Sequence, residues 1–354
     1  MSPRPLRILV AEDSALFVAV LRDLIIAEPD MEIVGVADNG EDAVTMCGEL
    51  SPDLILMDIR MPKMDGLAAT EAIMANHPTP IFVVTSDPYQ GGVDLSFKAL
   101  SAGALDLMPK PTAFPWPEHE KAPFLRKIRL LAQIPVVRHP RGNLRRKQVS
   151  LHGTRRQPSA EEAAVVGVIA STGGPKALAR LFGELPPDFP APILVVQHII
   201  RGFSEHLAGW LDANSDLAVQ EAMHGVRAKP GNIYVAPADT HLEIGPDRFL
   251  ELNEGPPVGG HCPSGDLLLE SLARHAGSRS VGIIMSGMGS DGTAGLAALH
   301  RSGGKTFVQD RKSSVVYGMP QSAIDLGVVD DVVELDDMAS HLNHIVRAIH
   351  QGAA

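Results

Sequence analysis

The residue around which the chain's chemistry collects is Ser171. It stands in Val165-Val166-Gly167-Val168-Ile169-Ala170-Ser171-Thr172-Gly173-Gly174-Pro175-Lys176, where six apolar-run residues lead into a small-residue turn and a proline-opened helix. In an open parallel sheet such a turn lies at the carboxyl edge, where ligands bind and the N–H groups of a helix start favour negative charge. A hydroxyl held there is placed to attack a carbonyl while neighbouring N–H groups stabilise the oxyanion. Taken alone, the Ser-Thr-Gly-Gly tetrad reads more readily as a helix cap. A phosphate cradle is the third reading, but this stretch carries neither G-x-x-x-x-G-K-[ST] nor G-x-G-x-x-G.

Two other strand ends supply what a serine nucleophile needs. His198 follows the apolar run Ile193–Gln197, and Asp291 lies in Ser286-Gly287-Met288-Gly289-Ser290-Asp291-Gly292 after Val281–Met285. If the three ends are neighbours, the imidazole takes the serine proton and the carboxylate orients the imidazole and stabilises its charged form. Gly287 and Gly289 let backbone N–H groups approach a substrate oxygen. His241 and His261 compete for the role of base, and Asp239, Asp266 and Asp310 for that of the acid. Continuous apolar strands ahead of His198 and Asp291 favour those two.

A second constellation lies nearer the N-terminus. Glu12 and Asp13 follow the strand Leu6–Ala11, Asp58 follows Asp53–Met57, Thr85 and Ser86 end Ile81–Thr85, and Lys110 follows Ala104–Met108. Three carboxylates on one sheet edge repel each other unless a hard divalent cation sits among them. That predicts Mg²⁺ at Glu12, Asp13 and Asp58, with Asp58 free to attack a phosphoryl group and Thr85 and Lys110 holding its oxygens.

The elements that must position these residues repeat a strand–helix rhythm five times over residues 6–110, with Met31–Ala37 as the remaining strand. Leu16, Phe17, Val20, Leu21, Leu24 and Ile25 have the spacing of a helix with one buried face. Glu118–Ala132 reads as the last helix of this body. The aperiodic stretch 134–162, broken by Pro135, Pro140, Gly142, Gly153 and Pro158, reads as a flexible linker. Beyond it come strands at Val165–Ala170, Ile193–Gln197, Ile233–Ala236, Val281–Met285 and Lys305–Gln309. A hairpin is expected at His241–Ile244 and Phe249–Leu252, and helices at 176–184, 203–211, 266–276, 293–301 and 339–350. The expected class is α/β, two doubly wound, mostly parallel-sheet domains, the first flavodoxin-like and the second carrying one antiparallel hairpin. The expected divisions are 1–133, 134–162 and 163–354.

Bulk composition narrows the function classes. The 354 residues are 45% hydrophobic and 21% charged, ordinary for a globular protein with room for two cores. No apolar run reaches membrane-span length, and Met-Ser-Pro-Arg-Pro-Leu-Arg has no apolar signal core, so a cytoplasmic protein without membrane insertion is expected. Cys47 and Cys262 are too few for a disulfide framework or a cysteine metal cage. The net charge is −11, yet residues 134–160 hold Arg138, Arg141, Arg145, Arg146, Lys147, Arg155 and Arg156 with no acidic residue. A solvated linker explains that strap better than a nucleic-acid surface, since the chain as a whole is acidic.

Residues 5–133 resemble the receiver domain of bacterial two-component response regulators. The match lies in Glu12-Asp13, Leu56-Met57-Asp58-Ile59-Arg60-Met61-Pro62-Lys63-Met64-Asp65-Gly66, Val84-Thr85-Ser86 and Pro109-Lys110-Pro111. The resemblance implies phosphorylation of Asp58 by a histidine kinase, with Glu12, Asp13 and Asp58 around Mg²⁺. Leu107 stands where receivers often carry a switching Tyr or Phe.

Residues 163–350 resemble the catalytic domain of chemotaxis protein-glutamate methylesterases. The matching blocks are Gly167-x-x-Ala170-Ser171-Thr172-Gly173-Gly174-Pro175, Val196-Gln197-His198, Ile233-Tyr234-Val235-Ala236-Pro237, Ser286-Gly287-Met288-Gly289-x-Asp291-Gly292, Gln309-Asp310 and Val316-Tyr317-Gly318-Met319-Pro320. The resemblance implies Ser171 as nucleophile, His198 as base, Asp291 as orienting acid, and the Thr172 and Met288 backbone as oxyanion donors. It further implies a phosphorylation-activated hydrolase acting on glutamyl methyl esters of chemoreceptors, with glutamine deamidation as a second activity. A chemotaxis histidine kinase is the implied phosphodonor, and the ester chemistry itself requires no cofactor. The chain departs from the family at Ile199-Ile200-Arg201, where Met-Pro-Pro is frequent, and at Arg311-Lys312, a more basic pair than usual.

Overall fold

The computed structural model describes residues 4–85, 93–111, 116–136, 164–199 and 203–352. Residues 137–162 of the expected linker, Ser86, and the departures at Ile200 and Arg201 lie outside them. The chain divides into two compact units, 1–150 and 151–354.

In the first unit the strands are β1 (Leu6–Ala11), β2 (Met31–Ala37), β3 (Leu54–Met57), β4 (Ile81–Thr85) and β5 (Asp106–Pro109). Between and after them run α1 (Ala15–Ile26), α2 (Gly40–Leu50), α3 (Gly66–Asn76), α4 (Val93–Ala102) and α5 (Glu118–Leu131). The sheet is parallel throughout, in the order β2-β1-β3-β4-β5, the flavodoxin-like winding. Three helices start on side-chain caps that answer otherwise unpaired N–H groups. Ser14 accepts from Phe17 N, Asn39 from Asp42 N and Asp65 from Ala68 N. On α1 the buried face is Phe17, Leu21 and Ile25. The ladder carries on past the strand ends and thereby fixes the chemistry-bearing residues. Glu12 N donates to Ala37 O at 2.8 Å, Asp58 N to Ala11 O at 2.9 Å and Lys110 N to Thr85 O at 2.8 Å.

The second unit contains β6 (Val165–Ala170), β7 (Ile193–Gln197), β8 (Ala218–Glu221), β9 (Asn232–Val235), β10 (His241–Ile244), β11 (Leu250–Asn253), β12 (Ser280–Ile284), β13 (Lys305–Gln309) and β14 (Asp331–Val333). Its helices are α6 (Gly174–Glu184), α7 (Ser204–Asp212), α8 (Gly265–His275), α9 (Thr293–Arg301), α10 (Gly318–Asp325) and α11 (Leu335–His350). Seven strands form one parallel sheet in the order β14-β13-β12-β6-β7-β9-β8, while β10 and β11 pair only with each other. The hairpin is therefore a separate ribbon, tied to α8 by Ile244 N donating to Ser271 Oγ at 2.9 Å.

Sequence periodicity does not announce β8, β14 or α10. Both strands are sheet edges of three or four residues, with mixed polar character and mostly exposed or half-buried side chains. On α10 the buried face is short, and Pro320 stands in its first turn. Helix α11 begins four residues before the apolar period suggests, because Asp336 and Asp337 suit the positive end of its dipole.

Candidate active site

Strand β6 lies at the middle of the second sheet with β12 on one side and β7 on the other. Ser171, His198 and the loop bearing Asp291 therefore leave adjacent strands at the same edge. Backbone bonds extend the ladder into the site, Ser171 N donating to Ser286 O and His198 N to Ala170 O, both at 3.0 Å. Ser286 Oγ donates to Thr172 O at 2.7 Å, and Gln197 Nε2 donates to the carbonyls of Ser171 and His198 at 2.9 and 3.0 Å. Gln309 Oε1 accepts from Ser286 N at 2.9 Å, which pins the loop from the β13 side.

Space at the serine is narrow enough to require glycine. A Cβ on Gly287 would stand 2.8 Å from Ser171 Cβ and 2.2 Å from Met319 Sδ. Gly173, with φ +77°, adopts the left-handed conformation that turns the chain into α6. These two positions bring the Met288 loop and the start of α6 against Ser171. Among the described residues, neither the Thr172 nor the Met288 N–H donates to another protein group.

His198 and Asp291 are in direct polar contact. His198 Nε2 lies 2.7 Å from Asp291 Oδ2. The carboxylate also accepts from Gly265 N at 2.6 Å, Ser264 Oγ at 2.8 Å and Asp266 N at 3.2 Å, so it sits on the N-terminus of α8. Burial alone would raise its pKa, but hydrogen bonds and charge from His198, with those from Gly265 and Ser264, outweigh burial and hold it at about 2. Asp291 is thus an anion through the neutral range, and its partner nitrogen Nε2 carries the proton. The other ring nitrogen, Nδ1, is buried and has no hydrogen-bond partner among the described residues. Only the His198–Asp291 half of the expected relay is therefore closed in this conformation, and serine-to-base hydrogen bonds often close only when substrate is present.

The competing residues have other occupations. His241 is fully buried, accepts from Ser264 N through Nδ1 and meets Pro256 O through Nε2. Asp266 accepts from Gly295 N at 2.8 Å, and Asp310 accepts from Lys312 N at 3.1 Å and Ser313 N at 3.2 Å. Asp239 occupies a left-handed loop position with φ +58°. His261 lies face to face with His198.

In the first unit Glu12, Asp13 and Asp58 bring ligand oxygens within 4.8 Å of one another, with Glu12 and Asp58 buried and Asp13 exposed. A set of hard oxygen donors of this kind suits an oxygen-preferring divalent cation. Lys110 Nζ lies 2.7 Å from both Asp58 Oδ2 and Glu12 Oε2. Burial works against the Lys110 ammonium, but hydrogen bonds to Asp58 and Glu12 prevail and raise its pKa; burial likewise pushes the Glu12 carboxyl up against the pull of Lys110. Asp58 Oδ1 accepts from Ile59 N at 2.7 Å. Thr85 is buried at the end of β4, where it pairs with Pro109 and its carbonyl accepts from Lys110 N. Leu107 is buried in β5, while Phe17 lies 5.0 Å from Lys110 Nζ and 6.4 Å from Trp116.

Comparison with known proteins supplies the family. Residues 166–342 match the CheB methylesterase model and residues 8–115 the response regulator receiver domain. A protein-glutamate methylesterase/protein-glutamine glutaminase of Anaeromyxobacter dehalogenans is 42% identical, over 97% of this chain and 98% of its own. The chain belongs to the CheB methylesterase family. A Pyrococcus horikoshii relative of the same name is 35% identical over 99% of this chain and 96% of its own. The crystal structure of the Thermotoga maritima CheB methylesterase catalytic domain aligns with 52% of this chain and 98% of itself, at 36% identity and a TM-score of 0.51.

Residues that hold the candidate site in place stand outside the set expected from sequence. Ser264 and Gly265 anchor Asp291, although Pro263-Ser264-Gly265-Asp266 ahead of an apolar helix is a legible cap signal. Gln309 and Ser286 were visible as motif residues, but their bond across β12 and β13 follows from strand order alone. Among the described residues, no helix is long and apolar enough to cross a membrane.

Proposed function

We propose that the chain hydrolyses glutamyl methyl esters, and deamidates selected glutamines, on methyl-accepting chemoreceptors in the cytoplasm, under control of phosphorylation at Asp58. The observation that supports this reading is that Ser171, His198 and the Asp291 loop leave adjacent strands at one sheet edge with His198 on Asp291, in a chain with near full-length relatives named for both activities. The division into a receiver at 1–133, a linker at 134–162 and a catalytic domain at 163–354 is part of the proposal, and the family matches at 8–115 and 166–342 support it.

Because Asp291 engages Nε2 of His198, the basic nitrogen is Nδ1. Nδ1 takes the Ser171 proton as Oγ bonds to the ester carbonyl carbon. The carbonyl electron pair moves to oxygen, which the Thr172 and Met288 N–H groups receive. Collapse breaks the carbon–methoxyl bond, and Nδ1 returns the proton so that methanol leaves. A water deprotonated at the same nitrogen then attacks the acyl-serine, restoring Ser171 and yielding glutamate. With a glutamine substrate the leaving group is ammonia, and the proton steps are unchanged.

In the receiver, Glu12, Asp13 and Asp58 would hold Mg²⁺, which when bound neutralises charge on the transferring phosphoryl group. Asp58 Oδ attacks the phosphorus of a phosphohistidine on the chemotaxis kinase, the P–N bond breaks as the P–O bond forms, the kinase imidazole leaves with the bonding pair, and Thr85 and Lys110 receive the phosphoryl oxygens. Lys110 already sits on Asp58 Oδ2, so its ammonium needs only a small displacement to follow the new charge. Replacing Ser171 by Ala should lower methanol release by about 10⁴–10⁶, as expected when a nucleophile acts as one unit with its base. Near-normal turnover by Ser171→Ala would remove the assignment.

A further inference from the structure

One in-plane hydrogen bond does not fix a ring. The bond from Nε2 to Asp291 constrains the His198 imidazole at one atom, and a tilt of the ring about that bond would move Nδ1. The second constraint comes from the ring face. His261 is stacked on His198 with centroids 4.1 Å apart and planes 12° from parallel.

His261 is itself held firmly. Its backbone N–H donates to Val258 O at 2.9 Å and its backbone carbonyl accepts from Val258 N at 3.0 Å, closing a two-residue turn. The turn residues Gly259 and Gly260 have φ +60° and +87°, the left-handed pair that such a turn requires. Three residues further on, Ser264 Oγ donates to Asp291 and starts α8. A single segment, 258–264, therefore supports the ring face of His198 and the carboxylate of its partner.

We infer that His261 is a positioning residue for the hydrolysis, a flat platform that keeps the His198 ring in plane with Asp291 and Ser171 and faces the imidazolium formed during acyl transfer. The inference rests on the assignment of His198 as the base. A neutral aromatic face attracts a cation, whereas a second cation in the same place would oppose it. Burial, and next the proximity of His198, push the His261 imidazole down against the pull of Asp291, in keeping with an uncharged ring. By spacing alone His261 is a rival base; stacked face to face, its ring instead covers the base.

The test is steady-state methanol release from methylated chemoreceptor by the full chain carrying His261→Ala, His261→Phe, His198→Ala or Ser171→Ala, with thermal melting of each variant. His261→Ala should lower kcat about tenfold, the size of a lost cation–π contact, and leave KM within twofold. His261→Phe, which keeps the flat face without a titrating nitrogen, should recover most of that loss. Three results would overturn the inference: a His261→Ala kcat within twofold of the parent, a change confined to KM, or a His261→Phe variant no better than His261→Ala. Should His261→Ala melt below the assay temperature, the Phe variant decides alone: kcat within threefold of the parent supports the platform, and a larger loss refutes it. Retained turnover by Ser171→Ala or His198→Ala would instead sink the assignment of the base, which keeps the two failures apart.

Discussion

Replacing Asp291 by Asn tests the site's electrostatics with almost no change of shape. The carboxylate accepts four donors, His198 Nε2 and Gly265 N on Oδ2, and Ser264 Oγ and Asp266 N on Oδ1. An asparagine offers one oxygen and one NH₂, so its orientation decides which donors lose their acceptor. The Gly265 N–H, 2.6 Å away on the Oδ2 side, cannot rotate, whereas the Ser264 hydroxyl on the Oδ1 side can turn to accept. The amide oxygen should therefore take the Oδ2 position, keeping the proton on Nε2 and the lone pair on Nδ1. Only the Asp266 N–H, the longest of the four at 3.2 Å, is left facing the NH₂ group. That orphan should cost about 1–3 kcal/mol of stability.

Catalysis then loses the charge but keeps the tautomer. A unit charge near the imidazolium is worth about 4 kcal/mol at a 4 Å separation with an effective dielectric near 20, which corresponds to about 10³ in kcat. Asp291→Ala loses both charge and orientation and should cost about 10⁴ or more. The assay is kcat for methanol release from methylated chemoreceptor, with ¹⁵N NMR of the His198 ring to read the tautomer. An Asp291→Asn enzyme within tenfold of the parent would refute the electrostatic reasoning. A proton found on Nδ1 of that variant would refute the orientation argument.

Three other outcomes follow from the same geometry. Gly287→Ala should cost at least about tenfold in kcat and about 1–3 kcal/mol in stability, since its Cβ would collide with Ser171 Cβ and Met319 Sδ; unchanged turnover and denaturation midpoint would contradict the close approach. Asp291, held at about 2 against an ordinary 3.8, adds stability that is complete above pH 4 and fades as pH falls to about 2. Urea unfolding should show the stability gap between parent and Asp291→Asn shrinking by about 2 kcal/mol over that window, and a constant gap would count against the depressed value. Trp116, linked through Phe17 to Lys110, should change its fluorescence in a Trp210→Phe background on addition of a small-molecule phosphodonor with Mg²⁺. EDTA or Asp58→Ala should abolish the change, and persistence in either would separate Trp116 from the phosphorylation site.

Much of this molecule is legible because its candidate reactive residues follow long apolar strands. Runs such as Val165–Ala170 and Ile193–Gln197 fix where a strand stops, so Ser171 and His198 were readable as edge residues. Strand order is a property of the folded sheet, and only the β12-β6-β7 arrangement turns three separate strand ends into neighbours. The same limit hid the anchoring of Asp291 on α8, the face-on stacking of His261, and the use of Nε2 rather than Nδ1 toward the carboxylate. Side-chain direction depends on packing that no spacing rule encodes. In the receiver, the acidic cluster was evident from its positions, whereas the close pairing of Lys110 with both Glu12 and Asp58 emerged only when the strands were wound together. Edge strands β8 and β14 leave no mark in the sequence because one side of each faces water and their patterns carry little apolar period.

The most direct measurement is methanol release from methylated chemoreceptor by the parent chain and by Asp58→Ala, each with and without a phosphodonor plus Mg²⁺. Release that rises with phosphodonor in the parent and stays at its basal level in Asp58→Ala is the predicted result. Equal stimulation of both chains, or no release from either, would contradict a Ser171 esterase controlled through Asp58.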